Sequence, residues 1–320
     1  MRKHLLITGG AGFIGSNFIE YMLKNSDYAI TNIDVLTYAG DLDNTLGFQC
    51  YPNYRFIQCD ISNNNQLKQV FDYSYDCIIN FAAESHVDRS IENAQPFLTT
   101  NIYGTLNVLN FVLSGKAKKM IQISTDEVYG SLEENNLPFT EKSSLNPNNP
   151  YSASKASADL LVRSFYQTHQ LPLIITRCSN NYGPKQHIEK FIPKVITNAL
   201  NDQNIPLYGD GQHVRDWLFV EDHCRAIHKV LEHGEIGEIY NIGGENQRTN
   251  EEVISFILDY LGKDKSLIKY VKDRKGHDRR YSINWEKIHK ELGWKPEISF
   301  IEGLTTTIEW HRNKLTQQSR

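Results

Sequence analysis

Two clusters of side chains in this chain could do chemistry. Tyr151 and Lys155 open Tyr151-Ser152-Ala153-Ser154-Lys155, the start of an Ala-, Leu- and Ser-rich run with helical periodicity over 151–169. Residues four apart lie one above the other on a helix face. A phenol is a poor base near neutrality, because its ordinary pKa is about 10. A fixed ammonium one turn away favours the phenolate, so the pair suits proton abstraction from a sugar or alcohol hydroxyl. The second cluster is Thr125-Asp126-Glu127, which follows an apolar run at 120–124 where a buried strand should end. Consecutive strand residues face opposite sides, so both carboxylates can serve one ligand only if the backbone turns at Asp126. Two adjacent carboxylates do not ionise together easily, so one is expected to keep its proton.

Each cluster also has a plainer explanation. Tyr-x-x-x-Lys fits a solvated lysine beside a half-buried tyrosine, and Asp126-Glu127 fits an acidic turn or a helix cap. The N-terminal stretch selects between these explanations. A buried-strand run at 5–8 leads into Gly9-Gly10-Ala11-Gly12-Phe13-Ile14-Gly15 and then an apolar helical pattern through Phe18, Ile19 and Met22. Glycines at 9, 12 and 15 allow a tight turn and close approach of a pyrophosphate to a helix N-terminus. A second strand over 29–33 ends at Asp34, 19 residues after Gly15. A carboxylate there accepts hydrogen bonds from an adenosine ribose and repels a ribose phosphate, which favours NAD over NADP. A strand-end turn is the alternative for Asp34. Asp60-Ile61, after a strand over 54–58, fits an adenine-edge contact, or a cap for a helix over 66–71.

The elements that must position these groups alternate. Strands are expected at 76–80, 119–124 and 172–177, with helices at 96–113 and 151–169 between them. Small Ala82 and Ala83 after the fourth strand leave room for a cofactor. This βαβα order predicts an α/β fold, a doubly wound parallel Rossmann sheet with ligands at the carboxyl ends of its strands. The segment 130–150 lacks periodicity and reads as a loop delivering Tyr151. After Arg177 the pattern changes to turn chemistry over 178–184, helices at 191–200, 221–233, 251–261 and 301–312, and strands at 215–220 and 238–242. The expected organisation is an NAD-binding domain over 1–178 and a smaller α+β substrate lobe over 179–320, of which about 213–245 returns to the first domain.

With 320 residues, 40% hydrophobic and 22% charged, the composition is that of an ordinary globular protein. A net charge of −4, spread along the chain, gives no basic stripe for nucleic acid. Five cysteines without Cys-x-x-Cys spacing argue against a disulfide framework or a zinc site; Cys59, Cys77 and Cys178 read as core residues. The apolar run after Met1-Arg2-Lys3-His4 is too short for a secretory signal, and no segment is long enough to span a bilayer, so the expected location is the cytoplasm.

Residues 8–15, Asp34, Asp60-Ile61, Tyr151-x-x-x-Lys155 and the smaller second lobe resemble the extended short-chain dehydrogenase/reductase family. Within it the resemblance is to nucleotide-sugar 4,6-dehydratases, those acting on dTDP-glucose most closely. It is carried by Leu36-Thr37-Tyr38-Ala39-Gly40, by 82–90, 124–130, 177–184 and 215–222, and by Gly276-His277-Asp278-Arg279-Arg280-Tyr281. Thr125-Asp126-Glu127 separates these from the related 4-epimerases, the first alternative; a non-catalytic NAD-binding protein is the second. The resemblance implies that Tyr151 takes the proton of the sugar 4-hydroxyl and Lys155 holds the nicotinamide ribose. Thr125 binds the sugar oxygen, Glu127 removes the carbon 5 proton, and Asp126 protonates the departing carbon 6 hydroxyl. It places Leu36, Thr37, Ser85, Thr100 and Asn181 near NAD. Ser85, Asn180, Lys190, Phe191, Arg215, Asn250, Arg274 and His277 would surround the substrate, with Pro206 and Tyr208 near its nucleotide. It also implies a homodimer through the helices at 96–113 and 151–169, which otherwise merely cover the sheet.

Overall fold

The computed structural model describes residues 2–318 except 72, 134 and 274. In chain order its strands are β1 (His4–Thr8), β2 (Ala29–Asp34), β3 (Tyr54–Gln58), β4 (Cys77–Asn80), β5 (Met120–Thr125), β6 (Leu173–Cys178), β7 (Asn180–Tyr182), β8 (Ile205–Tyr208), β9 (Val214–Phe219), β10 (Ile239–Ile242), β11 (Gln247–Thr249) and β12 (Ile268–Val271). Seven form one parallel sheet in the order β10-β6-β5-β4-β1-β2-β3. The order reverses between β1 and β4, the switch point at which doubly wound sheets bind ligands. The Rossmann expectation is borne out.

Both faces of this sheet are covered, as a parallel sheet requires. Leu5 and Ile7 of β1 pack on one side with Phe18, Ile19 and Met22 of the first helix and with Ile227 and Val230 of the helix Val220–His233. Leu6 between them packs on the other side with Val108, Leu109 and Val162. At the carboxyl ends a buried polar relay crosses three strands: the Thr8 hydroxyl donates to Asn80 Oδ1 (2.5 Å), and Asn80 Nδ2 donates to Gln122 Oε1 (2.8 Å). Such a relay fixes register where an apolar contact would tolerate slippage.

A third core gathers the smaller sheets β11-β9-β7 and β12-β8 around Tyr182, Ile196, Ile254 and Leu304. Within the stretch 178–184, expected to be turn, β7 pairs in parallel with β9 through Asn180↔Trp217. Its three residues are too few for period-2 patterning to show. The helix expected over 96–113 is one continuous run over 95–113 whose middle, Leu98–Gly104, is π-helical. A π turn marks an inserted residue and often sits at functional sites. All five cysteines are free, with Cys59, Cys77, Cys178 and Cys224 buried. Among the described residues no helix is long and apolar enough to cross a membrane.

Candidate active site

The helix Pro150–His169 carries Tyr151 and Lys155. Asn149 caps it, its side chain accepting from Ser152 N (2.9 Å), and Pro150 occupies the first turn, where its missing N–H costs nothing. Tyr151 and Lys155 are both buried on the face toward β5. Lys155 Nζ donates to the Ile123 carbonyl at 2.6 Å.

Directly after β5 the backbone leaves the strand and makes a 3₁₀ turn over Asp126–Tyr129. Thr125 caps this turn, accepting from Glu127 N (3.3 Å), and its hydroxyl lies 3.3 Å from Asp126 Oδ1. The turn that one-sided use of both carboxylates demands is therefore present. Asp126 is 2% exposed. Glu127 is half-buried, and Ser152 Oγ donates to its Oε2 at 3.2 Å. Burial, then the neighbouring Glu127, raises the Asp126 carboxyl well above the ordinary carboxylate range, while Arg215 opposes the shift. The protonated form of Asp126 is thereby favoured.

The phenol departs from expectation. Burial, then Glu127, holds Tyr151 well above its ordinary range, with only the Thr125 hydroxyl opposing. Lys155 does not rank among the influences on it, and burial pulls the lysine's own pKa down against support from Asp159. The ammonium's hydrogen-bond partner here is the Ile123 carbonyl.

A long cleft of ≈ 420 Å³ runs across the carboxyl ends of the sheet, within the range of ligand pockets. Gly9, Gly12, Phe13, Ile14 and Gly15 line it at one end, with Asp34, Thr37, Asp60, Ile61, Ala82, Ala83, Ser85 and Thr100. Thr125, Asp126, Glu127, Tyr151, Lys155 and Asn181 occupy the middle. Asn180, Lys190, Phe191, Pro206, Tyr208, Arg215, Asn250 and His277 follow at the other end. Leu36 is the exception. Its side chain does not line the cleft; it takes φ 61°, and its N–H donates to Asp34 Oδ1 at 2.8 Å. Arg274 lies outside the described residues.

The glycine end fits a dinucleotide. The helix Phe13–Asn25 begins at Gly12 with no side-chain cap and no acidic residue in its first turn, so its N–H groups and dipole face the cleft. Gly9 takes φ +71°, and a Cβ on Gly15 would stand 2.4 Å from the Gly9 carbonyl. The Asp34 carboxylate accepts from Ala11 N (3.0 Å) as well as Leu36 N, so it braces the loop while facing the cleft. Asp60 Oδ1 accepts from Ser62 N (2.8 Å), and the cap of the next helix is Asn63.

At the far end Lys190 Nζ reaches back to the Ser85 carbonyl (2.6 Å), and Arg215 Nη2 donates to the Asp278 carbonyl (3.0 Å). His277 stacks on His213 at 3.7 Å and bonds Asp273 Oδ1 through Nδ1 (2.6 Å). Residues not anticipated also line the cleft, among them Tyr38, Glu84, His187, Glu189 and Trp217. Tyr38 and Glu84 stand inside stretches that carry the resemblance; His187 and Glu189 have no local signal, since only the fold brings them against Tyr38 and Arg89.

This sheet, glycine loop and Tyr-x-x-x-Lys helix define an extended short-chain dehydrogenase/reductase. The chain belongs to the family described as GDP-mannose 4,6 dehydratase, whose profile matches residues 6–307. It is 50% identical to the low-salt glycan biosynthesis protein Agl12 of Haloferax volcanii, over 96% of this chain and 98% of that protein. It is 44% identical to a dTDP-glucose 4,6-dehydratase of Neisseria gonorrhoeae, covering 99% of this chain and 98% of the other. Among solved structures it is similar to DesIV, the dTDP-glucose 4,6-dehydratase of Streptomyces venezuelae with NAD and TYD bound. The TM-score is 0.95 at 45% identity, over 98% of both chains.

Proposed function

We propose that this protein is an NAD-dependent dehydratase that removes water from dTDP-glucose to give dTDP-4-keto-6-deoxyglucose, formally a hydro-lyase. The observation that carries the reading is the turn at Asp126, which puts two carboxyls, one of them buried, on the cleft beside Tyr151. A dehydrogenase that only moved hydride would need the tyrosine and lysine alone. The family's description names a GDP sugar, whereas relatives at 44–46% identity over nearly the whole chain are dTDP-glucose enzymes, and these weigh more.

Bound NAD supplies a hydride acceptor for carbon 4 and later a hydride donor for carbon 6, so the cycle is redox-neutral. The residues manage the protons. Tyr151 takes the proton of the 4-hydroxyl, Thr125 bonds the same oxygen, and Lys155 holds the nicotinamide ribose. A ketone at carbon 4 makes the carbon 5 proton acidic, so oxidation must come first. Glu127 then takes that proton and Asp126 gives its own to the hydroxyl leaving carbon 6. Arg215 suits a phosphate oxygen of the substrate, with Lys190 and His277 close along the cleft. Leu98, Tyr103, Leu113 and Leu160 leave apolar side chains exposed on the helices of 98–113 and 150–169, which supports a homodimer through them. The smaller sheets with their helices form the substrate lobe.

Incubation with dTDP-glucose and NAD tests the reading, with UDP- and GDP-hexoses in parallel. A product lighter by one water, formed best from dTDP-glucose, is expected. Unchanged mass with inversion at carbon 4 would make the protein an epimerase. No turnover despite bound NAD would make it a non-catalytic binder.

A further inference from the structure

Behind the two catalytic clusters lies a buried ion pair that the reaction does not use. Asp159 stands one helical turn beyond Lys155 and two beyond Tyr151, on the same face of their helix. Arg177, on β6 beside β5, donates through Nε to Asp159 Oδ2 (2.9 Å) and through Nη1 to the Tyr129 hydroxyl (2.9 Å). Its guanidinium also lies 4.8 Å from the Tyr129 ring centre. The Tyr129 hydroxyl in turn donates to Asn241 Oδ1 of β10 (2.8 Å). Asp159, Arg177 and Tyr129 are each at most 3% exposed.

Tyr129 is the last residue of the 3₁₀ turn that holds Asp126 and Glu127. The relay therefore joins the carboxylate turn to the helix carrying the base. A buried ion pair contributes little net stability, because desolvation offsets attraction; its best-attested use is to fix one arrangement among several. Here the arrangement fixed is that of the two halves of the active site. We propose that Asp159, Arg177 and Tyr129 are positioning residues, a strut that holds Asp126 and Glu127 in register with Tyr151 across one hexose. The inference rests on the dehydratase reading above.

Tyr129→Phe tests it, since the ring stays and only the hydroxyl goes. In single-turnover experiments with dTDP-glucose and the NAD-loaded protein, carbon 4 oxidation should keep its rate within about twofold. Elimination, read by entry of solvent deuterium at carbon 5 and by accumulated reduced cofactor, should slow by about 10- to 100-fold, the scale on which small misplacements act. KM should be unchanged. Asn241→Ala removes the hydroxyl's acceptor but spares the Arg177 donation, and should slow the same step less; it serves if Tyr129→Phe does not fold. Equal slowing of both steps, or elimination at the parent rate, would overturn the strut. A parent protein that dehydrates nothing would instead refute the reading beneath it.

Discussion

At the scale of single residues, proton inventory decides what the site can do. In the proposed reaction Asp126 gives a proton while Glu127 takes one, and burial beside Glu127 raises the Asp126 carboxyl well above the ordinary carboxylate range. The sign follows directly: the elimination rate should fall as pH rises through the raised value, because the acid form is then lost. Asp126→Asn should remove that alkaline limb and lower the rate by about 10²- to 10⁴-fold, the usual range for general acid catalysis. Single-turnover rates across pH would check both. In Asp126→Asn with Glu127→Gln, elimination should collapse while a 4-keto sugar and reduced cofactor build up; dehydration at the parent rate would refute the role assignment. That these residues share one cleft was legible in the sequence because Tyr-x-x-x-Lys and Thr-Asp-Glu are contiguous, and so was the raised Asp126 carboxyl. The electrostatics of Tyr151 and Lys155 were not. That Lys155 spends its first hydrogen bond on the Ile123 carbonyl, and that burial lifts the Tyr151 phenol, depend on a strand remote in sequence from that helix.

At the scale of elements, the two loops that follow β1 and β5 hold the site. Gly15→Ala should abolish NAD binding measured by calorimetry, because the added methyl meets the Gly9 carbonyl that shapes the loop. Unaltered NAD affinity would show that the loop can shift at no cost. Thr125→Val keeps the shape but loses the cap on the Asp126–Tyr129 turn. It should cost about 0.5–2 kcal/mol in urea unfolding and slow turnover as the carboxylates loosen. The strands of the large sheet were legible to within a residue or two, since runs such as Leu5-Leu6-Ile7 are apolar on both faces and flanked by glycine or charge. The short strands β7, β11 and β12 were not. Three or four residues show no period, and β12 bears exposed Tyr270 and Val271 that resemble loop.

Across the whole molecule, ion pairs join distant segments. Arg89 meets Glu189 in a bidentate pair, Nη2 reaching its two oxygens at 2.7 and 3.0 Å, and Lys185 bonds Glu20 at 2.6 Å. None of these partners could be matched from sequence, because each pair joins segments about a hundred or more residues apart. Stability should carry a pH signature. His223 is buried with Nδ1 on Asn181 Oδ1 (2.8 Å), and burial pulls its pKa down to about 3. The folded chain refuses a proton that the unfolded chain accepts below about 6.5, so this residue costs stability as pH falls from there toward 3, by ~1.4 kcal/mol per unit. The raised Asp126 acts with the opposite slope, so the clean quantity is the difference between the parent and His223→Asn. That gap in urea unfolding should shift in the variant's favour between pH 7 and 5; a constant gap would contradict it. The central claim is that hydride leaves and returns within one cleft while water is lost. It is tested most directly with dTDP-glucose carrying deuterium on carbon 4. The expected product has lost one water and carries that deuterium on carbon 6, with no net reduced cofactor; deuterium retained on carbon 4 of an inverted sugar, or released with the cofactor, would contradict the account.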